Sequence, residues 1–467
     1  MAQKLVKPIL ASGTRDLLPE DAIAQQDVIR RIIAVYEQFG FVPLETPCME
    51  RWGVLTGDNP SFNKSIFRAI VVRGAEDYGA EMSELAAEDT ALRFDLTVPL
   101  ARVISAYPSL PRPFKRYQVG KVFRGERVQA GRFREFTQLD FDIIGSSSIW
   151  ADIEVLHVMY SVMRALGVED FLIRFNTRKV LNGLAEMAGC TESRATELFR
   201  VIDKFEKEGV AAILNELTRK PDPHWVDDPA LQLKAGQAEC VEKFISIVGS
   251  NSEERVRLLT GFFGNSNKSA EQGVTELEEI TKALRVLGIP EENCAVDLSV
   301  ARGLDYYTGS VFETVLACVP KLGSVFSGGR FDGLSNRFMA GSNISGVGAS
   351  VGIDRMIIGL RETGLVKNRP STADLLVTVF KSDPELAQAS MLFADRARQV
   401  GINTEVYLGD DTSFGAQFAY AAKQEIPFVA VIGPNESMAG LVQLKDMEAR
   451  VQEALTEKEV FGRLQQV

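Results

Sequence analysis

Between residues 22 and 39, apolar side chains recur in steps of three and four, at Ile29, Ile32, Ile33, Tyr36 and Phe39. That spacing gathers them on one face of a helix, and Gly40 is its expected stop. Residues 41–47 then predict a short strand. Residues 121–145 follow a different period. They run from an apolar stretch through a polar, glycine-punctuated tip and back through Phe136, Leu139, Phe141, Ile143 and Ile144. This predicts a hairpin with a long loop. On its return strand Phe141 and Ile143 alternate with Asp140 and Asp142, so one face carries carboxylates. A helix over 149–166 and a core strand over 171–175 follow.

The pattern then changes. Residues 177–290 read as highly charged helices, such as 192–207 and 271–287, without strand-like alternation. Strands resume at 294–298 and 311–316, so the helical stretch is expected to be an insertion within a strand-built domain. Residues 367–372 read as a linker. Beyond it, apolar strands at 375–379, 404–407 and 428–433 alternate with helices at 384–400 and 414–424, which predicts a small α/β domain. The expected divisions are therefore 1–176, 177–290, 291–366 and 373–467.

A chain of 467 residues allows about three domains. Its 45% hydrophobic and 25% charged content excludes fibrous and disordered classes. A net charge of −11 argues against a generic nucleic-acid coat, although local basic loops can still steer an RNA. Cys48, Cys190, Cys240, Cys294 and Cys318 are scattered, with no metal-type spacing. They fit a reducing compartment, most of them as small buried residues. His157 and His224 are the only histidines and stand in unrelated contexts, so neither an imidazole triad nor a protein metal cluster is expected. The first ten residues lack a signal-type apolar core and no stretch approaches a membrane span, so a cytoplasmic protein is expected.

The candidate chemistry lies in the hairpin. Arg124, Arg127, Arg132 and Arg134 fall within eleven positions beside the carboxylate face. Guanidinium groups suit phosphates, and carboxylates suit an ammonium or a ring N–H. The stretch FRGERVQAGRFREF resembles motif 2 of the class II aminoacyl-tRNA synthetases in its histidyl version. Four further segments resemble the same family in the same order: Gly13-Thr14-Arg15-Asp16-Leu17-Leu18-Pro19, Leu92-Arg93-Phe94-Asp95-Leu96-Thr97-Val98-Pro99, the histidine-specific Arg302-Gly303-Leu304-Asp305-Tyr306-Tyr307-Thr308-Gly309, and a motif 3 running from Gly346 to Arg355.

The resemblance implies an α+β catalytic domain built on an antiparallel sheet, split by the helical insertion and followed by an α/β anticodon-binding domain. It implies ATP as a substrate with Mg2+ bound to it, L-histidine and histidine tRNA as the other substrates, and a homodimer formed around motif 1 near Pro47. By the same resemblance Arg124 and Arg355 clamp the phosphates. Arg302 sits at the α-phosphate, Arg132 reaches the terminal phosphates and Glu126 meets the adenine edge. Asp95, Thr97 and Gln138 match the positions that hold the α-amino group. Asp142 and Tyr307 match those that face the imidazole, with Tyr306 beside them. Arg127 and Gln129 are expected at the acceptor end of the tRNA. In the C-terminal domain the lead into the second helix reads Ser413-Phe414-Gly415-Ala416-Gln417, where the family is usually lysine-rich. A competing reading is the histidine-binding regulatory paralogue of ATP phosphoribosyltransferase, which usually lacks that domain and has degraded arginine motifs.

Overall fold

The computed structural model describes residues 6–57, 66–70, 89–127, 131–222, 224, 228–264, 267–301, 306–339, 341–366, 368–380 and 382–465. The chain forms two compact units, Met1–Arg15 with Val28–Val366, and Asp16–Asp27 with Lys367–Val467.

Helix α1 (Pro19–Gln38) sends Val28, Ile32, Val35 and Tyr36 into the core of the first unit. It ends as expected at Gly40, whose φ of +79° lets the Phe41 N–H turn back to the Tyr36 carbonyl. Strand β1 (Val42–Pro43) is shorter than the expected 41–47, because prolines at 43 and 47 offer no N–H to a sheet ladder. β2 (Met49–Arg51), helix α2 (Trp52–Thr56), β3 (Arg68–Ala69), β4 (Thr90–Leu92) and helix α3 (Thr97–Ala106) follow. β5 (Phe114–Phe123) and β6 (Glu135–Ile144) form the expected hairpin.

Helix α4 (Ile149–Ala165), capped by the Ser148 hydroxyl, and β7 (Phe171–Thr177) come next. Six helices follow among the described residues: α5 (Arg178–Met187), α6 (Glu192–Ile202), α7 (Phe205–Thr218), α8 (Ala235–Ile245), α9 (Ser252–Phe263) and α10 (Lys268–Val286). The single helix expected over 192–207 is broken at Asp203 and Lys204. The break lets Leu198 and Ile202 on one side, and Ile213 and Leu217 on the other, enter the same core. β8 (Cys294–Val296), β9 (Ser310–Leu316), β10 (Phe326–Arg330), β11 (Gly346–Gly352) and helix α11 (Ile353–Glu362) complete the unit.

Its main sheet has eight strands in the order β1-β5-β6-β11-β10-β9-β7-β8. The pairs from β5 to β7 are antiparallel. The two edge strands, β1 and β8, are each parallel to their neighbour. Leu139, Phe141 and Ile143 of β6 lie in the same core as Val155, Met159 and Val162 of α4. The opposite face, carrying residues 138, 140 and 142, is left for chemistry.

The second unit is built on β12 (Leu375–Val377), α12 (Pro384–Gln399), β13 (Thr404–Val406), α13 (Phe414–Lys423), β14 (Phe428–Val431), α14 (Pro434–Ala439), β15 (Val442–Asp446), β16 (Gln452–Leu455) and α15 (Glu457–Leu464). Its sheet runs β13-β12-β14-β15-β16, with the first two pairs parallel and the last two antiparallel. Cys190 and Cys294 are buried, Cys240 is half-buried, and Cys48 and Cys318 are exposed, so fewer cysteines are buried than expected. Among the described residues no helix is long and apolar enough to cross a membrane.

Candidate active site

Directly opposed residues of antiparallel strands share a face, so strand register assembles this site row by row. One row reads Arg116, Asp142, Gly348, Gly329 across β5, β6, β11 and β10. The next reads Gln118, Asp140, Ser350, Ser327, and the third Gly120, Gln138, Gly352. The glycines keep the floor open. A Cβ at Gly348 would collide with the Asp142 carboxylate, and one at Gly329 would come within 2.8 Å of the Tyr307 ring.

At the deep end, Asp95, Asp140 and Asp142 are each at most 3% exposed, around the wholly buried Arg116. The Arg116 Nη2 lies 2.6 Å from Asp142 Oδ2. The approach misses hydrogen-bond alignment, and Arg116 Nε and Nη1 and Asp142 Oδ2 have no well-directed partner. Burial pushes Asp140 up to about 7, with Arg116 opposing and Asp142 adding to the shift. Burial pushes Asp142 up to about 6, again against Arg116. Burial also raises Tyr307, helped by the charges of Asp140, Asp142 and Asp95. Tyr306 donates its hydroxyl to Asp95 Oδ2 at 3.2 Å, while the Val98 N–H, in the first turn of α3, donates to Asp95 Oδ1 at 3.1 Å. Thr97 is buried beside them. The pocket thus gathers more negative than positive charge in a dry place, which suits a cationic ligand.

A cavity opens at the other end of the same face. Arg124, Glu126, Arg132, Phe136, Gln138, Ser350 and Arg355 are among its lining residues. Arg124 follows β5 and is anchored by its Nε on the Phe94 carbonyl at 3.0 Å, with its guanidinium 5.2 Å from the centre of the Phe136 ring. Arg355, in the first turn of α11, donates to the Ser324 carbonyl at 3.0 Å. Asp354 beside it accepts from Arg15 Nη2 at 2.6 Å and from the Thr137 N–H at 2.9 Å, which joins the N-terminal segment, the hairpin and α11. The Arg134 N–H donates to the Gly13 carbonyl at 2.8 Å, and its Nη1 to the Ser12 carbonyl at 3.3 Å.

The structure therefore brings Asp95, Thr97, Asp142, Tyr306 and Tyr307 to one end of the face and Arg124, Glu126, Arg132 and Arg355 to the other, with Gln138 between. Arg127 is exposed and is not among the residues lining the cavity. Arg302 and Gln129 lie outside the described residues. Three residues with direct partners here are not named as site residues from the sequence: Arg116, and Arg15 and Ser350, which stand inside family-like segments without a role of their own. Asp140 could have been found, since the alternation already placed it with Asp142.

The Asp140 shift has a measurable consequence. Its folded value lies above the unfolded one, near 3.9. The stabilising contribution of this side chain is then fully present below that value and is lost as pH rises through about 7. Comparing urea unfolding of the ligand-free wild type with Asp140→Asn from pH 4 to 8 should show the wild type losing ground as pH rises. A difference that stays flat with pH would contradict the burial.

Comparison with known proteins gives a consistent result. Residues 13–356 match the family model described as histidyl-tRNA synthetase, and residues 374–467 the one described as anticodon binding domain. A histidine–tRNA ligase of Wolinella succinogenes is 39% identical over 448 residues, covering 96% of this chain and 95% of that protein. One of Helicobacter pylori is 39% identical over 454 residues, covering 96% of both. Among solved structures, histidyl-tRNA synthetase from Nostoc sp. PCC 7120 superposes with a TM-score of 0.83 at 30% identity, covering 99% of this chain and 100% of that one. A Bacillus halodurans protein described as an ATP phosphoribosyltransferase regulatory subunit/histidyl-tRNA synthetase shares the fold, with a TM-score of 0.70 at 19% identity, covering 89% of this chain and 97% of that one.

Proposed function

The chain belongs to the histidyl-tRNA synthetase family, and from that premise we propose how its residues divide the work of a histidine–tRNA ligase. The enzyme activates L-histidine with ATP, releases pyrophosphate, and transfers the histidyl group to the 3′ end of histidine tRNA. The observation that carries the assignment of roles is the shared sheet face, with a carboxylate-rich pocket at one end, an arginine-lined cavity at the other, and Gln138 at the junction.

The attacking histidine carboxylate is already an anion, so no general base is needed. The site must align it with the α-phosphate and stabilise the charge that develops there. Arg124, just past the end of β5, and Arg355, in the first turn of α11, take the phosphates, Arg132 the terminal phosphates, and Glu126 the adenine edge. Arg302 is assigned by motif to the α-phosphate and the histidine carboxylate. Asp95, Thr97 and Gln138 receive the ammonium, with Tyr306 holding Asp95. Asp142 and Tyr307 receive the two ring nitrogens. A site that pairs both nitrogens rejects side chains lacking them, because its own buried groups would be left unpaired. Mg2+ would travel on the triphosphate. Asp354, the carboxylate nearest Arg355 in sequence, is already committed to Arg15 and Thr137.

Arg127 and Gln129 are assigned to the tRNA acceptor end, residues 373–467 to anticodon contact, and residues 177–290 to a helical insertion of the catalytic domain. The protein is assigned to the cytoplasm. Its intact arginine motifs and C-terminal domain separate it from the regulatory paralogue.

ATP–pyrophosphate exchange run with each of the twenty amino acids tests the reading. Exchange should depend on histidine alone; a protein that binds histidine yet exchanges nothing would be a sensor instead. We also assign a homodimer through the motif 1 edge, where Val42 and Met49 are 47% and 57% exposed despite being apolar. Sedimentation at micromolar concentration should give twice the mass of one chain, and a stable single-chain mass would count against it.

A further inference from the structure

We propose that Asp140 and Ser350 are positioning residues that hold the Gln138 amide with its carbonyl turned to the substrate ammonium. The proposal rests on the assignment of this pocket to histidine. The Ser350 hydroxyl donates its one proton to Asp140 Oδ1. Only its lone pairs then remain, so its second contact, at 2.6 Å, has to be made by a Gln138 N–H. The amide nitrogen is thereby committed to β11, and the carbonyl points the other way. That carbonyl oxygen, Gln138 Oε1, is buried with no hydrogen-bond partner among the described residues. A buried acceptor without a donor is costly and marks where a ligand's donor belongs.

An amide can turn over by half a revolution and exchange its donor and acceptor ends with little change of shape. Without a fixed neighbour, Gln138 could meet an ammonium with its own N–H groups. Asp140 removes that choice. Above about pH 7, where burial lets its carboxylate ionise, Asp140 only accepts, so the serine proton goes to it. The polarity of the whole chain from Asp140 through Ser350 to Gln138 follows, which sets the calorimetry at pH 8. The three residues come from two strands in register, Asp140 opposite Ser350 and Gln138 opposite Gly352. Gln138, Ser350 and Gly352 all line the cavity.

The test compares two ligands by calorimetry: histidine, and 3-(imidazol-4-yl)propanoate, which keeps the ring and the carboxylate but lacks the amine. Ser350→Ala should weaken histidine roughly tenfold, the scale of one hydrogen bond to a charged group, and leave the propanoate within about twofold. Ser350→Thr, which keeps the hydroxyl, should restore most of the histidine affinity. In a Gln138→Glu background the Ser350→Ala penalty should vanish, because a carboxylate presents acceptors in either orientation. Equal weakening of both ligands would mean that Ser350 merely supports the fold, and no weakening of either would mean that something else orients the amide. Both results overturn the proposal. A wild-type protein that binds neither ligand would overturn the histidine assignment itself.

Discussion

Replacing Arg124 with alanine is expected to slow adenylate formation by about 10²–10³-fold, the cost of removing one preorganised donor from a developing oxyanion. Arg124 is held at its Nε by the Phe94 carbonyl and flanked by the Phe136 ring. Its terminal nitrogens are therefore the donors left for a phosphate, in a fixed plane and at no reorganisation cost during reaction. Because the effect belongs to the transition state, the apparent affinity for histidine should change far less than the rate. Lysine at this position should recover only part of the loss. One ammonium reproduces neither the planar fork nor the anchoring contact to Phe94. Single-turnover adenylate formation and histidine titration on the same variant check both halves. An alanine variant that forms adenylate at the wild-type rate would remove Arg124 from the mechanism.

Asp142→Ala is expected to fail in two separable ways. Asp142 is the carboxylate partner of a wholly buried arginine. Deleting one member of such a pair strands the other, at a cost of about 3–5 kcal/mol. The same deletion removes the group assigned to the imidazole, so histidine binding should disappear in whatever protein remains folded. The double variant Arg116→Met with Asp142→Leu separates the two. It replaces the ion pair with apolar volume and should regain most of the stability, since such exchanges are often neutral or better. It should still neither bind nor activate histidine. Urea unfolding together with histidine-dependent exchange makes the comparison. Recovered exchange in the double variant would show that Asp142 serves the fold alone.

The order of the motifs, the hairpin, the shared face of Asp140 and Asp142, and several of the longer helices and core strands were legible in the sequence. All of these depend on local rules. The period of two on β6 follows from the backbone pleat alone, and the end of α1 from the positive φ that Gly40 accepts. The family motifs are contiguous segments, so the candidate arginines and pocket residues could be named from them without the fold.

What the tertiary structure decided is which distant residues face each other. Ser350 stands 210 residues from Asp140 and 212 from Gln138, and strand register alone makes it their neighbour. Arg116 reads locally as one more charge in an alternating strand. Only the pairing of β5 with β6 buries it against Asp142. Among the hairpin arginines, Arg124 and Arg132 line the cavity, while Arg134 hydrogen-bonds to the segment around Gly13. Spacing along the chain could not sort them, because their roles depend on where the N-terminal segment and α11 come to lie. Local periodicity fixes the direction in which a side chain points, and the folded topology fixes what it meets there.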